Sequence, residues 1–542
     1  MASVARPLQT TRKDLLARLA DDRVYDIAVV GGGATGLGVA LDAAARGFSV
    51  VLLESHDFAK GTSSRATKLV HGGVRYLAQG NISLVREALH ERTTLLRNAP
   101  HLAQPLAFVV PSYQWWEAPF YGIGLTMYDL LAGKAGLGKT RFLGAAETAK
   151  ALPMVRMDGL KGGVQYWDGQ FNDARLALAL ARTAATRGAL LVNYCAATGL
   201  LYQGGKISGL QAQDTIGGQT YPVRARCVVN AAGVWVDSLR EMDGPAHSAG
   251  GGRAIQPMVA PSQGVHIVVD RSFLDSDTAL MVPKTSDGRV LFAVPWLGKV
   301  ILGTTDTPRN DLAREPMAFA EEVEFILSES ARYLRKAPTR DDIKSIWVGL
   351  RPLVKPQDDD GESTKALSRE HTVIVSRSGL VTVTGGKWTT YRAMAEDVLE
   401  KCADKGLLES RPAGQTENLR LVGGESSAEM APVSVSKTEG PHSYGSEKPL
   451  VSSLPGADVW LAPGLSEAMV RFAARYEYAV TVEDMLARRS RMLFLDARLA
   501  AQLAQRVSEI LNDETGLDPQ RDEFSELAAQ YLRIPSKSQE QR

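Results

Sequence analysis

Three glycines stand at a spacing that lets a backbone approach a phosphate: Gly31, Gly33 and Gly36, within Gly31-Gly32-Gly33-Ala34-Thr35-Gly36. A turn of this kind that opens a helix presents free N–H groups and the positive end of the helix dipole to an anion. Gly31 permits the tight turn, Gly33 admits a pyrophosphate and Gly36 lets helix and strand pack closely. Glu54 follows at the end of the next apolar run, where a carboxylate accepts hydrogen bonds from a ribose. A glycine triplet alone is a weak signal. With a strand before it, a helix after it and an acid at this distance, a dinucleotide site is expected, although the spacing does not choose between NAD and FAD.

Three further stretches extend that chemistry. Gly61-Thr62-Ser63-Ser64-Arg65-Ala66-Thr67-Lys68 offers hydroxyls and backbone donors suited to a long, polar, two-part cofactor. Asn230-Ala231-Ala232-Gly233 closes an apolar run with small residues, where a backbone can approach a ligand closely. Gly385-Gly386-Lys387 closes another, just before a helix, whose N-terminus stabilises negative charge on a reduced ring by about 0.3–1 kcal/mol if exposed and more if buried.

The elements that must position these residues follow from periodicity. Asp26–Val30, a small-residue helix to Arg46 and the strand Ser49–Glu54 form a β-α-β unit. Helices are predicted over 82–98, 174–186, 320–334 and 390–405, with strands at 227–230, 265–269, 290–295, 300–304, 346–350 and 381–384. The fold class is α/β: a Rossmann-like cofactor domain interrupted by a strand-rich substrate domain, followed by an all-α C-terminal domain. The cofactor domain is assigned to 22–78, 165–245 and 366–408, and the substrate domain to 79–164 and 246–365. The Gly/Ser/Pro-rich stretch 409–462 reads as a linker, and 463–535 as the helical C-terminal domain.

Bulk properties narrow the class. At 542 residues, 44% hydrophobic and 23% charged, the chain has the composition of an ordinary globular protein of two to four domains. A net charge of +1 gives no general attraction to nucleic acid, and none is expected as a partner. Cys195, Cys227 and Cys402 lie far apart, which argues for a reducing compartment and against a disulfide framework or a zinc site. No run is long and apolar enough to span a membrane, and charges through the first 26 residues argue against a secretory signal.

Taken together, these segments resemble the FAD-dependent glycerol-3-phosphate dehydrogenases, members of the D-amino-acid-oxidase-like flavoproteins. Val30 to Gly47 resembles the first family signature, departing at Leu37, where a smaller residue is usual. Gly385 to Ala395 matches the second throughout, and Thr62 to Leu77 and Gly349-Leu350-Arg351-Pro352-Leu353 are also characteristic. The likeness runs from about Tyr25 to Lys405 and recurs at Tyr476 to Asp496. It implies FAD as cofactor, with Thr62, Ser63, Ser64 and Lys68 against it. His71, Gly72, Gly233, Gly386, Lys387 and Thr389 complete that expected set. No metal is expected, and no Asp-x-Asp-x-Asp-Gly calcium loop is present.

The implied substrate is sn-glycerol 3-phosphate, oxidised to dihydroxyacetone phosphate by hydride transfer to flavin N5. A phosphate dianion needs fixed cations, and Arg75, Arg351 and Arg369 occupy motif positions used around substrate, with Tyr76 as a hydroxyl donor. Deprotonation of the C2 hydroxyl falls to His266, with Lys387 as second candidate, either as base or as stabiliser of the alkoxide. Gln263 stands where relatives often carry lysine, which puts any role for that position in doubt. The resemblance further implies a homodimer docked peripherally on the inner face of the cytoplasmic membrane, reducing ubiquinone or menaquinone. Leu102 to Gly133, apolar and aromatic without Lys or Arg, reads first as buried packing and second as an interfacial segment. The C-terminal arginines read as a solvated face or a lipid-attracting one. Rival readings are a glycerol-phosphate oxidase using O2, an amine or amino-acid oxidase of the same fold, and a nucleotide-binding module without turnover.

Overall fold

The computed structural model describes residues 7–73, 81–244, 255–355, 371–425 and 433–536. Its first sheet grows from the β-α-β unit. Strand Val24–Val30 lies parallel to Val50–Leu53 on one side and to Thr220–Asn230 on the other, and Leu380–Thr384 and Leu190–Val192 extend the parallel set. These strands are buried runs of valine, leucine and alanine, as a sheet covered on both faces requires. Helix Ala34–Ala45 packs against helices Asp173–Thr186 and Tyr391–Asp404. The contact with the latter is close because position 38 is glycine: a Cβ there would lie 2.9 Å from the Tyr391 ring.

Register brings four strand ends together. Val30 pairs with both Leu53 and Asn230, and Asn230 with Thr382. The turns that follow, at Gly31, Glu54, Ala231 and Gly385, therefore open on one crevice at the carboxyl edge of the sheet, where open α/β sheets bind ligands.

The second sheet is ten-stranded and largely antiparallel, with Val259–Asp270 flanked by Lys299–Gly303 and Ser345–Val354. It continues through Leu291–Trp296 and Ala279–Val282 to Ala103–Ser112, Gly162–Phe171 and Leu69–Val70. Its face toward the first sheet roofs the crevice.

Two expectations change here. Of the stretch 409–462, read as a linker, residues 433–462 are a packed strap: Val435, Tyr444, Val451 and Ala462 are buried in one core with the C-terminal helices and with Phe108, Trp296 and Trp347 of the second sheet. Its scattered apolar residues, not its Gly/Ser/Pro content, decide its state. The C-terminal arginines also depart from a solvated face. Arg488 and Arg489 are buried on Asp57, and Arg491 donates to the Ser64 and Ala487 carbonyls, while Arg471 and Arg475 pair with Glu514.

Leu102–Gly133 divides. Ala103–Ser112 is a buried strand, but helix Glu117–Ala132 turns apolar side chains outward: Trp116, Phe120, Ile123, Met127 and Leu130 follow a 4-3-4-3 spacing along one exposed stripe. Among the described residues no helix is long and apolar enough to cross a membrane.

Candidate active site

The crevice is a cavity of about 680 Å³, in the upper half of the range of about 300–1,000 Å³ usual for small-molecule sites. Gly31 adopts φ +110°, and a Cβ there would sit 2.5 Å from the Ala231 carbonyl oxygen; one at Gly36 would strike the Gly31 carbonyl oxygen at 1.9 Å. Both glycines are thus required by the turn itself. Gly33 precedes the first residue of the helix, and Ser63 Oγ accepts from the Ala34 N–H at 2.9 Å. Glu54 is fixed by two backbone donors, Gly32 N–H at 2.7 Å and His56 N–H at 2.9 Å. Burial pushes its carboxyl up, while those two hydrogen bonds pull it down.

The opposite lip belongs to the second signature. Gly385 and Gly386 both have positive φ, and Lys387 is extended before the turn Trp388–Thr390. Trp388 Nε1 donates to the Ser63 carbonyl at 2.8 Å, and the His71 N–H donates to Thr389 Oγ1 at 3.2 Å. The second signature is therefore tied to the Thr62–His71 segment across the crevice. Gly31, Gly33, Glu54, Thr62, Ser63, His71, Gly233, Gly386, Lys387 and Thr389 all line the cavity.

Lys68, Ser64, Gly72 and Gly36 do not line it. Lys68 has φ +67°, which sends its side chain behind the wall, where Nζ donates to Asp173 and to the Ser64 carbonyl, both at 2.7 Å. Its ammonium lies over the Trp347 ring at 4.5 Å, and burial, opposed by Asp173, holds its pKa well below the usual lysine value. The Ser64 carbonyl accepts from Arg491 as well, at 2.6 Å. Gly72 donates its N–H to the Tyr128 hydroxyl at 2.7 Å. These four shape the wall from behind.

The substrate-domain side of the cavity brings together His266 and Arg351 from neighbouring strands. The His266 ring stacks on Trp347 at 4.1 Å between centroids, and Nε2 meets Thr67 Oγ1 at 3.0 Å. Nδ1 has no hydrogen-bond partner among the described residues. Burial, then the Lys68 and Arg351 charges, hold this imidazole well below its ordinary pKa, so it is neutral at physiological pH. Arg351 is 28% exposed and held by the Thr304 hydroxyl, the Gln263 and Thr305 carbonyls and Asp306. Gly264 makes its room, since a Cβ there would lie 2.3 Å from Nη2.

Arg75, Tyr76 and Arg369 lie outside the described residues. Gln263 is buried and bonds Glu322 and Arg309, away from the cavity. Sequence reasoning missed Thr67 as the partner of His266, although its hydroxyl sat within the Gly61–Lys68 segment. It also missed Arg314, which lies 4.4 Å over the Trp235 ring and attracts Glu54; nothing in its local sequence marks it.

Comparison with known proteins accords with this geometry. Residues 26–392 match the family model described as FAD dependent oxidoreductase, and 414–522 that of the C-terminal domain of alpha-glycerophosphate oxidase. The mitochondrial glycerol-3-phosphate dehydrogenase of Homo sapiens is 39% identical over 558 residues, covering 96% of this chain and 75% of that protein. That of Arabidopsis thaliana is 40% identical, covering 94% and 85%. The crystal structure of the Bacillus halodurans glycerol-3-phosphate dehydrogenase, complexed with FAD, superposes with a TM-score of 0.75 at 29% identity, covering 97% of both chains. The cradle described above fits such a cofactor: a glycine turn without side chains, a carboxylate held at the end of the second parallel strand and a lip of backbone donors.

Proposed function

Because the chain belongs to the family of FAD-dependent glycerol-3-phosphate dehydrogenases, we propose that it oxidises sn-glycerol 3-phosphate to dihydroxyacetone phosphate and delivers the electrons to a membrane quinone. Bound FAD supplies the hydride acceptor, at N5. The residues of this chain do the rest. His266, neutral and held by Thr67 and Trp347, takes the C2 hydroxyl proton as hydride leaves. Lys387 stabilises the developing alkoxide charge. Arg351, its fork oriented by four acceptors, grips the phosphate together with Arg75 and Arg369, and Tyr76 adds a hydroxyl. A charge-assisted contact of this kind contributes about 1.5–3 kcal/mol.

The observation that carries this reading is the pairing of a neutral imidazole with a fixed guanidinium in one wall of the cavity onto which the glycine turn opens. An amine or amino-acid oxidase has little use for several phosphate-gripping cations. The acceptor is read from the surface: helix Glu117–Ala132, with Phe120 66% and Leu130 76% exposed and Trp115 just before it 82% exposed, presents the aromatic-aliphatic face that peripheral enzymes set into the headgroup boundary. Two assays decide. Reduced enzyme should pass electrons to ubiquinone-1 faster than it releases peroxide in air; dominant peroxide release would make it an oxidase. Phe120→Glu/Leu130→Glu should abolish flotation with anionic vesicles, and unchanged flotation would remove that helix from the membrane.

A further inference from the structure

The cavity wall changes character along one row of the ten-stranded sheet. His266, Gly303, Phe292 and Met281 stand in direct register across four strands, so they share a face. Beyond them Phe108 pairs with Tyr166. At the His266 end the wall is polar, with Thr67, Thr304 and Arg351. At the other end it is aromatic: Phe108 stacks on Tyr166 at 5.1 Å and 23°, and meets Phe292 edge-on at 6.2 Å and 76°. Gly303 keeps the junction open, since a Cβ there would lie 2.7 Å from the His266 ring. All five of these side chains, from His266 to Tyr166, line the same cavity. The one cation beside this end among the described lining residues, Arg289, is paired with Asp287 at 2.6 Å.

A small phosphorylated triol has no use for such a chamber. We propose that it receives the ring of the electron acceptor, a substituted quinone, and so is the second substrate's site; the inference rests on the membrane-quinone reading above and locates the acceptor within it. Three features select that occupant. Stacked and edge-on aromatic rings form a slot for a planar ring. Met281 provides a deformable, polarisable wall. The Tyr166 hydroxyl sits 3.0 Å from the Met281 sulfur, a weak acceptor that a quinone carbonyl oxygen would replace with advantage. Continuity supplies the route. Phe108 and Tyr166 share one buried core with Leu125 on the inner face of helix Glu117–Ala132, and Tyr121 of that helix packs against the same core as Met281 and Phe292. An isoprenoid tail leaving the chamber emerges beside the helix whose outer face is apolar. In the step itself the quinone takes two electrons and one proton from the reduced cofactor and, as its second proton, the one that His266 took from substrate; it departs as hydroquinone, both carbonyls becoming hydroxyls, while FAD is returned oxidised and His266 neutral.

The test uses holoenzyme reduced anaerobically with glycerol 3-phosphate and then mixed with ubiquinone-1 or with phenazine methosulfate. Met281→Trp fills the slot, and Met281→Leu keeps its volume. Met281→Trp should slow reoxidation by ubiquinone-1 at least about tenfold, a factor worth about 1.4 kcal/mol, leaving substrate bleaching and dye reoxidation within about twofold; Met281→Leu should behave as wild type. Should Met281→Trp not fold, Tyr166→Phe, which removes one hydrogen bond of about 1 kcal/mol, should slow the quinone step about fivefold with bleaching unchanged. A photoactivated azidoquinone should label peptides spanning 162–171 or 279–296 in wild type and lose that label in Met281→Trp. Quinone reoxidation unchanged in both variants, labelling elsewhere, or a variant that loses FAD or shifts its spectrum would overturn the assignment, the last because the chamber would then hold the cofactor itself. Wild-type enzyme inert to ubiquinone-1 but forming peroxide would instead sink the parent reading, and the site with it.

Discussion

The sharpest prediction concerns His266. Its ring is buried, stacked 4.1 Å from Trp347 and bonded to Thr67, so substitution has a chemical and a structural consequence that must be separated. As general base it should contribute about 10²–10⁴-fold to flavin reduction. Truncation to alanine also empties core volume, at a cost of about 2–4 kcal/mol of stability. His266→Phe retains the stack and removes the nitrogens, so both variants should be slow if the base is lost, and only alanine should be markedly unstable. Thr67→Val removes the one hydrogen bond that orients Nε2, worth about 1 kcal/mol, and should slow reduction about fivefold. The assay is anaerobic stopped-flow bleaching of bound FAD by glycerol 3-phosphate across pH. With the folded pKa held well below 6.5, the imidazole is already neutral at pH 6.5. The wild-type rate should therefore stay on its plateau as pH falls through 6.5 and decline only at lower pH. Near-normal reduction by His266→Ala, or an acid limb centred at or above pH 6.5, would refute the assignment.

Gly31→Ala should abolish FAD retention, because the added Cβ meets the Ala231 carbonyl at 2.5 Å in a positive-φ turn; purification with stoichiometric FAD would contradict this. Lys68→Ala takes the 2.7 Å ammonium from the buried Asp173 carboxylate and leaves it Arg491 at 3.4 Å and two backbone N–H donors, so it should destabilise the protein by about 1.5–3 kcal/mol, read by denaturant unfolding; a loss below about 1 kcal/mol, the scale of a surface ion pair, would show the pair to be dispensable. His101 is half-buried, its Nδ1 shut off from solvent, with its pKa pushed down to about 3, desolvation being the main cause. A depressed folded pKa means the unfolded chain binds the extra proton below pH 6.5, so stability falls as pH drops from 6.5 toward 3. Wild type should lose up to about 1.4 kcal/mol per pH unit more than His101→Gln over that window, and parallel pH–stability curves would contradict it.

How much of this was legible in the sequence depends on what a residue type can and cannot encode. The glycine turns, Glu54 and the second signature were readable because each ends an apolar run, and parallel register then forces such ends together. Helix Ile82–Asn98 was equally plain from its period. Direction was not readable. Lys68 and Ser64 sit within the right segment, but a left-handed backbone at Lys68 turns that side chain behind the wall. The C-terminal arginines looked like a charged surface because their partners Asp57 and Asp173 lie hundreds of residues away. In 117–132 nearly every side chain is apolar, so the pattern alone did not say which stripe faces out; packing of Tyr128 and Leu125 inward decides it. Thr67 and Arg314 become functional candidates only through contacts made in three dimensions.

The central claim is that these residues oxidise a phosphorylated secondary alcohol against bound FAD. Anaerobic titration of the oxidised holoenzyme with sn-glycerol 3-phosphate, beside glycerol, glycine and proline, tests it most directly. The account predicts that the yellow absorbance is lost with glycerol 3-phosphate and persists with the three unphosphorylated compounds. Persistence with glycerol 3-phosphate, or equal loss with an amino acid, would contradict it.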